Sequence, residues 1–159
     1  MVEETGQRGP GTKGKEMSDL EATENSTGGV RVIGLLSIVI GAIMIFAGAV
    51  TWFVITDQLA AQHITVSEDA ANFGGKEVKG PFTAYAQAQI IDKHALEATG
   101  GKTYAQLDQD DPLRPVAMNA SFLRASLFTS VVAYGVAFFA AGVGLMFILL
   151  GWSLRRLAP

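Results

Sequence analysis

The sequence predicts an all-α membrane protein: a two-helix transmembrane antiparallel hairpin with a small, mainly helical extracytoplasmic cap. Three features carry this expectation. Two apolar blocks, residues 32–55 and 127–154, contain no Asp, Glu, Lys, Arg or His. Basic residues flank the ends of the blocks that would face the cytoplasm. The segment between the blocks holds a helix-forming stretch with its own start and stop signals.

Each block exceeds the roughly 20 residues that cross about 30 Å of hydrocarbon. A core helix of a soluble domain is usually shorter and keeps a polar face. The whole chain of 159 residues is 49% hydrophobic and 17% charged, and the apolar residues are concentrated in these blocks. The expected division is a disordered cytoplasmic tail at 1–29, a first span at 30–56, an outer loop at 57–126, a second span at 127–154 and a cytoplasmic end at 155–159.

Lys and Arg close to helix ends are retained on the cytoplasmic side. Arg31 abuts the first block, with Lys13 and Lys15 farther back, and Arg155 and Arg156 close the second. Residues 56–75 carry neither Lys nor Arg, and only Arg114 and Arg124 approach the second block from the loop. Both termini are therefore expected inside and the loop outside, in a plasma membrane. Trp52 and Trp152 fall where aromatic belts lie, at the outer end of one span and the inner end of the other. A cleaved secretory signal is disfavoured, because the apolar stretch is longer than a signal core of about 7 to 15 residues and the preceding tail is acidic.

Little in the tail has anything apolar to bury, which is why disorder is expected there. Met17, followed by Ser-Asp-Leu-Glu, reads as a translational start as plausible as Met1. The basic patch from Arg8 to Lys15 is short and followed by acids, so it reads as solvated tail.

Lipid tails are as apolar as leucine, so membrane helices associate through close packing at small residues. Gly34, Gly41 and Gly48 recur at every seventh position, with Ser37 on nearly the same face; Gly135 and Gly142, and Gly144 and Gly151, repeat that interval in the second block. Such a period keeps one seam toward a partner, either the other span, a second copy or another subunit. Ser126, Ser130 and Tyr134 form a polar stripe that is expected to hydrogen-bond locally.

In the loop, Asp57–His63 is expected to be a helical overhang, and Ile64-Thr-Val-Ser-Glu-Asp a short extended piece entering a turn. A helix is expected over about 82–99, with Pro81 at its tolerated first position and Gly100-Gly101 as its stop. Ala84, Ala88, Ile91, Ala95 and Ala98 share one arc of it, a flat face for another helix, while Lys93 and Glu97 make an exposed i, i+4 pair. Met118, Phe122, Leu123 and Phe128 are the expected docking side on a second helix, starting near Pro112 or Pro115 and continuing into the membrane.

The chain has no cysteine, which excludes disulfides, thiol nucleophiles and cysteine-bound metal. Its net charge of -3 and the lack of any basic, aromatic stripe argue against nucleic acid. No nucleotide or hydrolase motif occurs. The metal candidates are His63, His94, Asp108, Asp110 and Asp111. The aspartates lack the glycine and glutamate of a calcium loop and suit helix capping, and the histidines lack short ligand spacing. No cofactor is expected. The spans carry no ionisable group, so an ion path or proton relay is disfavoured.

The stretches Ile64-Thr-Val-Ser-Glu-Asp-Ala, Gly80-Pro-Phe-Thr-Ala-Tyr, Ile91-Asp-Lys-His-Ala-Leu-Glu-Ala-Thr-Gly-Gly-Lys-Thr-Tyr and Met118-Asn-Ala-Ser-Phe-Leu-Arg-Ala-Ser-Leu-Phe-Thr-Ser resemble a family of small actinobacterial membrane proteins. Members commonly bear the name of an aromatic ring-opening dioxygenase small subunit. The resemblance covers residues 30–156, implies the two-span topology and an actinobacterial membrane, and supplies no catalytic residue. The functional expectation is an accessory or scaffolding subunit that meets lipid and another envelope protein or itself. The alternatives are a metal-dependent oxygenase component and a small oligomeric pore.

Overall fold

The computed structural model describes the backbone of residues 10–157 and the side chains of residues 28–157. The described residues form three α-helices, α1 (Pro10–Ala60), α2 (Pro81–Ala98) and α3 (Arg114–Leu157), with a 3-10 turn at Tyr104–Gln106 and no strand. Two stretches are long and apolar enough to cross a membrane: Gly28–Ala60, of 33 residues, and Arg114–Leu157, of 44. Only 17% of the most apolar window of each is buried, unlike the core helix of a soluble domain. Ile43, Phe46, Phe53, Phe138 and Phe139 all turn outward, a surface suited to hydrocarbon rather than water.

The tail expected to be disordered lies outside the described residues over 1–9. From Pro10 onward the backbone is helical. Once an apolar segment has nucleated a helix, each further residue adds one hydrogen bond without a new nucleus, so α1 extends beyond its apolar part.

The chain divides into two compact units. Unit 1 comprises Met1–Ile43 and Val143–Pro159. Its described helical segments meet at glycines: a side chain on Gly34 would strike the carbonyl of Gly151, and one on Gly41 the backbone of Gly144 and Ile148. Seven residues forward on α1 correspond to seven residues back on α3.

Unit 2, Met44–Gly142, has a core of Leu59, Val66, Val78, Ala84, Ala88, Leu127 and Tyr134. Gly48 lies against the backbone of Ala137 and Ala141. After α1, the 64–78 segment forms a single antiparallel rung, Thr65 opposite Glu77, with Val66 N donating to Lys76 O at 2.9 Å and Val78 N to Ile64 O at 2.8 Å. The alternation of the two valines turns both into the core, where they are fully buried.

At the start of α2, Thr83 Oγ1 accepts from the amides of Lys79 and Gly80, each at 3.2 Å. At its end, Thr99 Oγ1 donates to Ala95 O at 2.9 Å, and Gly100 and Gly101 adopt φ of 64° and 85°, which a glycine takes without strain. Ala84 and Ala88 are buried and Ile91 and Ala95 half-buried, but Ala98 is exposed.

The docking side of α3 differs from expectation. Met118, Phe122 and Leu123 are exposed, and the stripe turned inward is Ala117, Leu127, Val131 and Tyr134, with Phe128 at its edge. Alanine on both helices allows closer approach than the large side chains would, and Phe122 lies on nearly the opposite side of α3 from the stripe, about 160° round the helix.

Candidate functional site

The glycines divide into two groups. Gly34, Gly41, Gly48, Gly144 and Gly151 are buried in close backbone contact, whereas Gly135 and Gly142 are exposed, and a Cβ added to either would meet nothing within 4 Å. On α3 the seam within the chain thus passes through Ala137, not through Gly135 and Gly142. Ser37 Oγ donates to Ile33 O at 3.0 Å, so its hydroxyl is satisfied within its own helix.

Tyr134 is the polar centre of unit 2. Its side chain is 1% exposed, its hydroxyl shares a hydrogen bond with Thr56 Oγ1 at 2.8 Å and donates to Lys79 O at 3.3 Å. Trp52 packs edge-on against its ring at 4.6 Å. One hydroxyl therefore joins α1, the loop before α2, and α3. Ser130, in contrast, donates to Ser126 O of its own helix. Nothing in the spacing of these residues signals the Tyr134 contacts, which come from elements far apart in sequence.

Farther along α2, Tyr85 meets Phe128 edge-on at 5.7 Å, and beyond it Arg124 Nη1 donates to Asp92 Oδ1 at 2.9 Å. Arg114 donates to Leu107 O and lies 4.3 Å over the Tyr104 ring, which fixes the turn leading into α3. Of the anchor residues, Arg156 lies 4.0 Å over the Trp152 ring, and Arg31 and Arg155 line one recess with Val32 and Leu35.

The metal candidates do not converge. No group of three or more His, Asp or Glu side chains that could hold a metal occurs among the described residues. His63 lies in the turn that follows α1, at φ 51°, and His94 Nε2 is 2.8 Å from Asp69 Oδ2. Asp111 Oδ1 accepts from Leu113 N at 2.8 Å ahead of α3, while Asp108 and Asp110 are exposed. Among the described residues, His63 and His94 thus lie in separate surroundings, neither with two further His, Asp or Glu side chains beside it.

Asp69 also lies 3.6 Å from Lys93, which is 3.8 Å from Glu97. The hydrogen bond from His94, opposed by a desolvation cost and helped by the charges of His94 and Lys93, holds the Asp69 carboxyl below its ordinary pKa. A depressed carboxylate contributes stability at pH above its unfolded value, about 3.9, and loses it as pH falls through the folded value. Thermal unfolding of the protein in detergent is expected to lose stability over that acid range. Asp69→Asn should flatten this part of the profile, and an unaltered profile would assign the acid sensitivity elsewhere.

Beside this cluster, α2 and the 69–73 loop enclose a cleft of about 350 Å³ whose wall includes Phe73, Phe82 and Tyr85. No sequence pattern signals this aromatic lining, because its residues are spread over two segments.

Comparison with known protein families, curated proteins and solved structures gives no match.

Proposed function

We propose that this chain is a two-span membrane protein with cytoplasmic termini and an outer cap of residues 57–126, acting without catalysis as an accessory or scaffolding subunit. In this reading α1 and α3 cross the bilayer in opposite directions, as the flanking arginines and the belt positions of Trp52 and Trp152 favour. The likeness of its quoted stretches to actinobacterial membrane proteins agrees with that location.

The observation that carries the accessory role is the uncovered ridge of Gly135 and Gly142 on α3. Two glycines seven residues apart present a smooth surface to which another helix can approach backbone to backbone. The chain already closes its own seam with other small residues, so this second ridge is left for a further helix, either of another envelope protein or of a second copy.

Gly135→Leu with Gly142→Leu is expected to abolish in-membrane cross-linking to that neighbour while leaving the melting of the chain nearly unchanged. Chemical cross-linking in native membranes, followed by mass spectrometry, reads both partner classes. A product that persists undiminished in the double variant would remove the ridge as an interface.

A further inference from the structure

The side of α2 that faces away from its packed alanines is itself apolar. Phe82 is 74% exposed and Tyr85 47%. At 100° per residue, Phe82, Ala86, Gln89 and Lys93 share the side opposite Ala84 and Ala88. Over this side lies the cleft described above, and its loop wall holds Phe73 at φ 64°. A bulky residue keeps such a backbone only where its surroundings enforce it, and conformations of this kind cluster at ligand clamps.

Polarity changes along the cleft. Following α2, the lining passes from Phe82 through Ala86 to Gln89 and then Lys93, which lies beside Asp69.

The contacts of α2 with α3 give the cleft its level. Lys79 O, two residues before α2, receives the Tyr134 hydroxyl, and Tyr134 lies about 10 Å along α3 inside the apolar run that begins at Leu127. Farther along, Tyr85 meets Phe128 and Asp92 meets Arg124, so α2 rises beside α3 out of the apolar run. The Phe82 end is level with apolar α3, and the Lys93 end is level with the charge of Arg124.

We propose that the cleft binds one acyl chain of an outer-leaflet phospholipid, with the polar end of the lipid beside Gln89 and Lys93. This rests on the two-span reading, under which the aromatic end opens to hydrocarbon and the charged end, where Lys93 pairs with Asp69, to water. An amphiphile matches that gradient, and aromatic rings at the boundary are the side chains that interfaces favour.

The test uses the full chain in bilayers of phosphatidylcholine and phosphatidylglycerol, with and without bromine on the acyl chains, and reads tryptophan fluorescence. Trp52, as sole indole in Trp152→Phe, reports the span. Phe82→Trp, in a Trp52→Phe and Trp152→Phe background, reports the cleft. Both are expected to lose roughly half their emission to brominated lipid, and adding Ala86→Leu, which fills the floor, should relieve the loss at position 82 alone.

Strong quenching of the Phe82→Trp indole by aqueous iodide, with none by brominated lipid, would overturn the lipid site. So would shielding from both quenchers, which would mean a protein occupant, or quenching unchanged by Ala86→Leu, which would mean bulk lipid. If Trp52 itself escapes brominated lipid, the two-span reading has failed instead.

Discussion

Gly41→Leu is expected to cost about 3 kcal/mol of stability, the upper part of the range for overpacking a close contact. A Cβ at this position would lie 2.8 Å from Ile148 Cγ1 and 3.0 Å from Ile148 N, and closer still to the carbonyl of Gly144. Two of those atoms are backbone, so the neighbour cannot yield by rotating a side chain, and the helical segments of unit 1 must separate. Under the two-span proposal the lost close packing is not repaid by apolar burial elsewhere, since the outward apolar faces are already in an apolar solvent. Equilibrium unfolding in mixed micelles measures the cost. Gly142→Leu is the control, because its site is open, and equal losses in the two variants would contradict the seam.

The second large effect is expected at Tyr134. Removing the ring with Tyr134→Ala opens a cavity beside Trp52 and should cost about 3 to 5 kcal/mol. Tyr134→Phe retains the ring and removes only the hydroxyl, leaving Lys79 O without its donor, for about 1 kcal/mol. With the tyrosine hydroxyl gone, the one proton of Thr56 turns to Trp52 O, 2.9 Å away, so Thr56→Val added to Tyr134→Phe should cost less than the two changes summed. Strict additivity in that cycle would show that the hydroxyl pair contributes nothing.

The long apolar helices were legible because one property, hydrocarbon length without charge, is local in sequence. The ends of α2 were legible for a similar reason. Proline at the first position and a Gly-Gly stop act on the backbone within one turn, and α2 spans Pro81–Ala98 against an expected 82–99.

The seam was legible on α1 but only in part on α3. Two glycine series with the same interval exist there, and alanine serves as a small residue as well as glycine does. Which series faces α1 depends on the rotation of α3 about its axis, a property set by contacts distant in sequence. The same reason hid the docking stripe of Ala117, Leu127 and Tyr134 behind the larger and more conspicuous Met118 and Phe122. Side chains that meet across elements, such as Arg124 with Asp92 and His94 with Asp69, leave no periodic trace, so the charge clusters and the aromatic cleft emerge only in three dimensions.

The most direct test of two spans with an outer cap is cysteine accessibility on intact cells. The chain has no native cysteine, so each added thiol reports alone. Lys93→Cys, at a side chain 54% exposed, is predicted to react with a membrane-impermeant maleimide before permeabilisation, and Leu157→Cys only after it. Labelling of Leu157→Cys on intact cells, or protection of Lys93→Cys until the membrane is opened, would contradict the account.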